Sequence, residues 1–180
     1  VIELQIDERQ LQAIADEFAA SEKDLRRAFS RALSRTTRRL RTQARKDLRQ
    51  GLGLRAAAVL RARLRLKRFR PRGSGMGGAA LWVGTNDMPA TAFKGTPRET
   101  PGGARVGGRE FPGAFVGRGQ DSGKRVVFRR RGRGRLPIYA ETVPIDDEAD
   151  PIVAEVYDQA IDTLMRNFRA EVRARTIYGV

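Results

Sequence analysis

SEKDLRRAFSRALSRTTRRLRTQARKDLRQ, residues 21–50, carries one dominant period. Leu25, Phe29, Leu33, Thr36, Leu40, Ala44 and Leu48 recur every three or four positions, which lines them along one side of an α-helix. Arg26, Arg27, Arg31, Arg35, Arg38, Arg39, Arg41 and Arg45 fill most of the remaining surface. Ser21 with Asp24 makes a capping box at the start, and Gly51 and Gly53 end the helix. So long an apolar stripe on so basic a helix must be buried against other elements, and the flanking sequence supplies them.

Upstream, Ile2, Leu4 and Ile6 alternate with polar residues as a short half-buried strand does. Asp7 is an N-cap with Gln10 three residues on, opening a first helix through Leu11, Ile14, Ala15 and Phe18. Downstream, a short helix is expected over Arg55–Arg61, and Leu64 and Leu66 then alternate with Arg63, Arg65 and Lys67 as a strand with one basic face. Residues 73–135 hold 16 of the 19 glycines, punctuating strand-sized apolar pieces at Ala80–Val83, Ala114–Val116 and Val126–Phe128. Asn86–Arg109, with Pro89, Pro97, Pro101 and the Gly102–Gly103 pair, reads as a long irregular loop. Leu136–Ile145 is an edge strand or extended segment. A last helix starts with Asp150 as N-cap and Pro151 at the first position, and is striped by Val153, Val156, Ala160, Leu164, Phe168 and Val172. The fold class expected is α+β: one domain over residues 1–180, a small antiparallel sheet packed by the two long helices, with long Gly/Pro-rich loops.

Composition narrows the chemistry. The 180 residues include 36 Lys+Arg, 21 Asp+Glu, no His and no Cys, for a formal charge of +15. Zinc fingers, thiol nucleophiles, Ser-His-Asp triads and disulfides need an imidazole or a thiol and are excluded. A cysteine-free chain fits an intracellular or intravirion setting better than that of a small secreted protein. No apolar run approaches the ~20 residues of a membrane helix and none has the form of a signal peptide, so the chain reads as soluble, with no membrane partner. The charge is unevenly placed: residues 25–72 carry 18 basic and 1 acidic side chains, and residues 73–135 carry 12 and 4. Residues 1–24 carry 2 and 7, and residues 136–180 carry 4 and 9. Acidic ends around a basic centre offer surfaces to polyanions and to further copies of the same chain.

Three motif-like strings do not hold up. Gly73-Ser74-Gly75-Met76-Gly77-Gly78 spaces its glycines like a dinucleotide fingerprint, but a strand rather than a helix follows. Asp147-Glu148-Ala149-Asp150 spells a helicase box without any Walker A lysine loop; acidic residues at that place oppose a helix dipole. With Asp146 they lack a partner carboxylate for a Mg²⁺ site. Asp87, Glu99, Glu110 and Asp121 lie scattered in glycine-rich stretches, which do not make an acid/base cleft. No catalytic residue, metal or cofactor is expected.

The candidate functional residues are basic. Arg129, Arg130, Arg131, Arg133 and Arg135, spaced by Gly132 and Gly134, cluster at a hairpin end, and Arg61, Arg63, Arg65, Lys67, Arg68, Arg70 and Arg72 form a second cluster. Arginine forks suit phosphate oxygens, or carboxylates at a subunit contact, and both readings stand. No helix-turn-helix signal and no interleaving of aromatics with these arginines is evident, so a nucleic acid would be held by its backbone alone.

Residues 32–44 (ALSRTTRRLRTQA), Gly103-Ala104-Arg105-Val106-Gly107-Gly108, Phe111-Pro112-Gly113-Ala114-Phe115-Val116, and Val127-Phe128-Arg129-Arg130 followed by Leu136-Pro137-Ile138 resemble, in this order, the minor tail protein Z family of lambda-like phages. The resemblance runs from about residue 28 to the C-terminal helix. It implies a tail-completion protein at the head-proximal end of a long non-contractile tail, assembled in the host cytoplasm and carried in the virion. Its implied partners are further copies in a sixfold ring, the tail terminator and other tail or neck proteins, the end of the tape-measure protein, and double-stranded viral DNA in the channel. Phe111, Pro112, Gly113 and Phe115 then form a turn and core anchor. Arg65, Lys67, Arg68, Arg70, Arg72, Arg129, Arg130, Arg131, Arg133 and Arg135 face the channel or a neighbouring subunit. The rival readings are a sequence-independent nucleic-acid-binding protein and a different neck protein, either a tail terminator or a head-completion subunit.

Overall fold

The computed structural model describes residues 2–4, 8–70, 76–119 and 123–178. Asp7, Arg72, Asp121 and residues 73–75 of the glycine run at 73–78 lie outside them. The fold is α+β and divides into two compact units, residues 1–46, 61–84 and 151–180 in the first, and 47–60 and 85–150 in the second.

The first unit holds strand β1 (Ile2–Leu4), helices α1 (Glu8–Phe18) and α2 (Glu22–Gly51, up to Lys46), strands β2 (Leu64–Phe69) and β3 (Gly78–Val83), and helix α3 (Asp146–Tyr178, from Pro151). The capping box forms as read: the Asp24 backbone N–H donates to Ser21 Oγ at 3.2 Å, and the Ser21 hydroxyl donates to the Asp24 carboxylate. All seven residues of the α2 stripe are buried, and so are Ala28, Ala32 and Thr37, small enough to widen the packed face. Val156, Ala160, Leu164, Phe168 and Val172 of α3 are buried too. Phe168 meets Phe29 edge-on, with ring centroids 5.6 Å apart at 81°, a favoured aromatic geometry. The buried Thr36 hydroxyl accepts from Asn167 Nδ2 at 3.0 Å, and the Thr37 hydroxyl donates to the Ser34 carbonyl at 3.3 Å, so neither is left unsatisfied. The sheet runs β1-β3-β2, all antiparallel, with Leu64 opposite Val83 and Leu66 opposite Leu81.

Helix α2 ends in the second unit with a Schellman closure. The Leu54 N–H reaches the Arg49 carbonyl (2.9 Å), the Gly53 N–H reaches the Gln50 carbonyl (3.2 Å), and Gly53 supplies the left-handed residue at φ 63°. The helix expected over Arg55–Arg61 is only a 3-10 turn, Ala57–Leu60.

The segment Asn86–Arg109, expected as an irregular loop, is built of regular pieces. It contains β4 (Met88–Pro89), a 3-10 turn at Ala90–Ala92, β5 (Arg98–Thr100) and β6 (Gly103–Val106), and leads into β7 (Arg109–Pro112). Thr100 pairs with Gly103, so Pro101 and Gly102 are the two residues of a tight hairpin turn, and Gly107–Gly108 turn β6 into β7 in the same way. Proline and glycine marked turns between very short strands rather than a loss of structure. Gly107 is obligatory there: its φ is +59°, and a Cβ would stand 2.5 Å from the Lys94 carbonyl oxygen. Strands β8 (Phe115–Arg118), β9 (Arg125–Arg130) and β10 (Ile138–Ala140) form a sheet of order β10-β9-β8, and β11 (Thr142–Val143) pairs with β4. Leu52, Leu54, Leu60, Met88, Phe93, Val106, Phe111 and Val127 are among the core residues of this unit.

Helix α3 starts at Asp146, not after Asp150, and Pro151 lies inside it. The Ala149 N–H already donates to the Ile145 carbonyl at 2.8 Å. Asp146, Asp147 and Glu148 in the first turn favour that early start by opposing the dipole, while Pro151 deletes one donor so close to the end that the helix tolerates it.

Truncating Phe168 to Ala empties the aromatic contact and should cost about 3–5 kcal/mol, read as a lowered urea midpoint by circular dichroism. Gly107→Ala should cost more than about 1 kcal/mol, whereas Gly132→Ala, where nothing lies within 4 Å, should leave the melting temperature nearly unchanged.

Candidate functional site

Two basic surfaces come out of the fold, one in each unit. In the first unit, β2 and β3 pair Arg65 with Trp82, Lys67 with Ala80 and Phe69 with Gly78, so these residues share the outer face of the sheet while Leu64 and Leu81 are buried. Glu3 of β1 stands in register with Ala80. The Arg65 guanidinium lies 5.5 Å from the centre of the Trp82 ring and donates from Nε to the Ala62 carbonyl at 3.2 Å. Lys67 Nζ lies 5.6 Å from the Phe69 ring centre. Arg68 reaches the Thr37 hydroxyl at 3.4 Å, and Arg70 is exposed. Among the described residues none of Arg65, Lys67, Arg68 and Arg70 is joined to a carboxylate. Trp82 and Phe69 are 42% and 36% exposed, large values for such rings.

In the second unit, β9 and β10 form a hairpin with Ile138 opposite Arg130 and Tyr139 opposite Arg129, closed by the Arg131 N–H on the Pro137 carbonyl at 3.3 Å. Arg129 is spent locally in an ion pair with Glu141. Arg130 lies 5.2 Å over the Phe115 ring, which itself packs on Phe128 with centroids 6.0 Å apart. Arg131, Arg133 and Arg135 are exposed at the tip with no carboxylate partner among the described residues. Behind them is the Phe111–Phe115 turn: Phe111 and Ala114 are buried, Pro112 is exposed, Gly113 takes φ 71°, and the Gly113 N–H donates to the Gly102 carbonyl at 2.8 Å. The two arginine clusters thus belong to separate units, and within each cluster the residues differ in what the fold already asks of them.

The expectation that no aromatic interleaves with the arginines is corrected here. Antiparallel pairing sets Trp82 beside Arg65, and strand β8 puts Phe115 under Arg130. Phe69, two residues beyond Lys67, was visible in the linear sequence, but Trp82 and Phe115 are distant in sequence and become neighbours only through strand register.

Other arginines are consumed by the fold. Glu171 of α3, mostly buried, takes Arg35 at 3.1 Å, Arg175 at 3.5 Å and Arg31 at 4.0 Å. Arg109 donates to both Glu148 oxygens, at 2.7 and 2.9 Å, while stacking 4.4 Å from the Phe93 ring centre. Between α2 and α3 a groove of about 380 Å³ is lined by Arg39, Gln43, Gln159, Asp162, Thr163 and Arg166 among others. It brings together no nucleophile with a general base. No group of three or more acidic side chains gathers as a metal site among the described residues, and no described helix is long and apolar enough to cross a membrane. What the surface can do is bind anions over a broad area, through cations held in place by aromatic rings and by the strand pleat.

No curated protein and no solved structure matches the chain. The family model of the prophage minor tail protein Z (GPZ) matches residues 8–175, which span α1, both basic surfaces and nearly all of α3. With that match over almost its whole length, this arginine-rich α+β chain belongs to the prophage minor tail protein Z family, and its role is a structural one in the phage tail.

Proposed function

We propose that the protein completes the head-proximal end of a non-contractile tail, as a ring of identical subunits through which the DNA passes, and that it supports head–tail joining. In this reading the two units act together as one tail-completion domain over residues 1–180. It contacts the tail terminator, the end of the tape-measure protein and double-stranded DNA, and it performs no catalysis. The observation that supports a DNA-facing role is the outer face of β2 and β3, where Arg65 and Lys67, with the exposed Arg70 just past the end of β2, have no carboxylate partner among the described residues. Cations without a carboxylate partner among the described residues suit an external polyanion, and duplex DNA presents one phosphate charge about every 1.7 Å along its axis. Cation–π contact with Trp82 and Phe69 keeps Arg65 and Lys67 spread over the face. Contacts of this kind carry no base specificity, as a protein that must let any sequence slide past requires.

Two measurements test this. Arg65→Glu/Lys67→Glu/Arg70→Glu should leave the secondary structure intact, yet reduce the yield of infectious particles in a complementation assay by at least about a hundred-fold. The released particles should lose DNA at lower salt than the parent. For duplex binding by the purified protein, each removed cation should flatten the plot of log affinity against log salt by roughly 0.9. Imaging of labelled tails should place the protein at the head-proximal end; label at the distal tip, or coating of free DNA by monomers with no tail incorporation, would overturn the proposal in favour of another tail position or a free nucleic-acid-binding protein.

A further inference from the structure

The β9–β10 hairpin carries more than charge. Every residue from Arg129 to Ala140 is exposed. Strand β10 is the outer strand of its sheet, paired only with β9, and Leu136, Ile138 and Tyr139 are 71%, 38% and 49% exposed. A protruding edge with apolar side chains is what soluble proteins cover, and one carrying three unpaired arginines calls for an acidic cover. A DNA backbone would satisfy the arginines but leave the leucine, isoleucine and tyrosine against phosphate.

The chain itself presents a surface of the matching kind. On the side of α3 away from the buried Val156, Ala160 and Leu164, the exposed Glu155, Asp158 and Asp162 lie about one helical turn apart, with Asp162 also at the rim of the α2–α3 groove and Tyr157 on a different face of the helix. Glu155 accepts a hydrogen bond from Gln159, and neither Asp158 nor Asp162 is paired with a cation among the described residues.

We propose that the hairpin of one subunit seats on the acidic face of α3 in the next copy, with Arg131, Arg133 and Arg135 against Glu155, Asp158 and Asp162. The two surfaces differ, so the contact is head-to-tail, and repetition of it closes into a ring when its rotation fits and otherwise runs into an open filament. This inference rests on the ring reading above and divides the arginines between two tasks: the hairpin cluster joins subunits, and the β2–β3 face is left for the DNA.

Because the chain has no cysteine, single introduced cysteines are unambiguous. Arg133→Cys and Asp158→Cys, made in separate full-length chains and mixed before assembly into tails, should give a covalent dimer on mild oxidation, and neither variant alone should. Charge exchange gives a second reading. Arg131→Glu/Arg133→Glu/Arg135→Glu and Glu155→Lys/Asp158→Lys/Asp162→Lys should each fold normally by circular dichroism but lose incorporation into tails by about a hundred-fold. Mixed together, they should recover it, since each hairpin then finds a helix of opposite sign. The inference is overturned if the hairpin variant still assembles, if mixing restores nothing, or if the hairpin variant forms rings and loses only DNA retention, which would turn the hairpin to the lumen. In each of those cases the ring stands or falls separately, on whether the unaltered protein appears as a multimer in dissociated tails.

Discussion

A helix as rich in arginine as α2 packs on one side more readily when charges bordering the packed stripe meet a carboxylate, and Glu171 meets two of them, Arg31 and Arg35. It lies in α3 one turn beyond Phe168, so the edge-on contact of Phe168 with Phe29 and the convergence of Arg31, Arg35 and Arg175 on one carboxylate are adjacent parts of one seam. The aromatic contact is one part of an apolar seam that also buries Leu25, Leu33, Leu40, Val156, Leu164 and Val172, and the carboxylate reduces the repulsion among the three guanidinium groups beside it. Thr36 with Asn167 adds a neutral hydrogen bond in the same seam. The sheet formed by β1, β3 and β2 then has a fixed support, and its outer face can be given over entirely to function.

That economy explains where the charge of the protein goes. An excess of 15 positive charges would be a liability if spread over a small fold without order. Instead the acidic side chains are directed to particular arginines: Glu171 in the helical seam, Glu148 on Arg109, Glu141 on Arg129. Among the cations without a carboxylate partner in the described residues are those of the β2–β3 face and the hairpin tip. In the proposed role the protein holds to its neighbours and still lets a polyanion move, and weak, distributed, sequence-blind contacts would serve the second need as well as specific pairs serve the first.

Much of this was legible in the residues. The α2 stripe, its Ser21 cap and its glycine stop formed as read, because helix period and capping are local properties carried by neighbouring residues. The alternation from Leu64 to Lys67 likewise marked a strand with one buried and one basic face. The failures share a different cause. Strands of three or four residues are too short to show alternation, so β5 and β6 vanished among prolines and glycines whose real work is to turn the chain. The start of α3 was placed too late because Pro151 is a strong local signal, and three acidic residues before it outweighed it. The aromatic neighbours of the arginines were missed because pairs such as Arg65 and Trp82 are made by register between strands, which no local pattern in the chain specifies. Arg129 was grouped with its neighbours at the hairpin, yet Glu141, brought back beside it by β10, engages it.

Trp82 is the only tryptophan in the chain, and it sits half-exposed on the outer face of β3, bordered by the Arg65 guanidinium and lying against Gly84, where a Cβ would come within 2.6 Å of the ring. All of the indole emission of the protein therefore arises from that one surface. Whatever draws Arg65 away from the ring, or dries the face on which it lies, alters the only such chromophore present, so the protein carries a built-in optical label on its basic β2–β3 face.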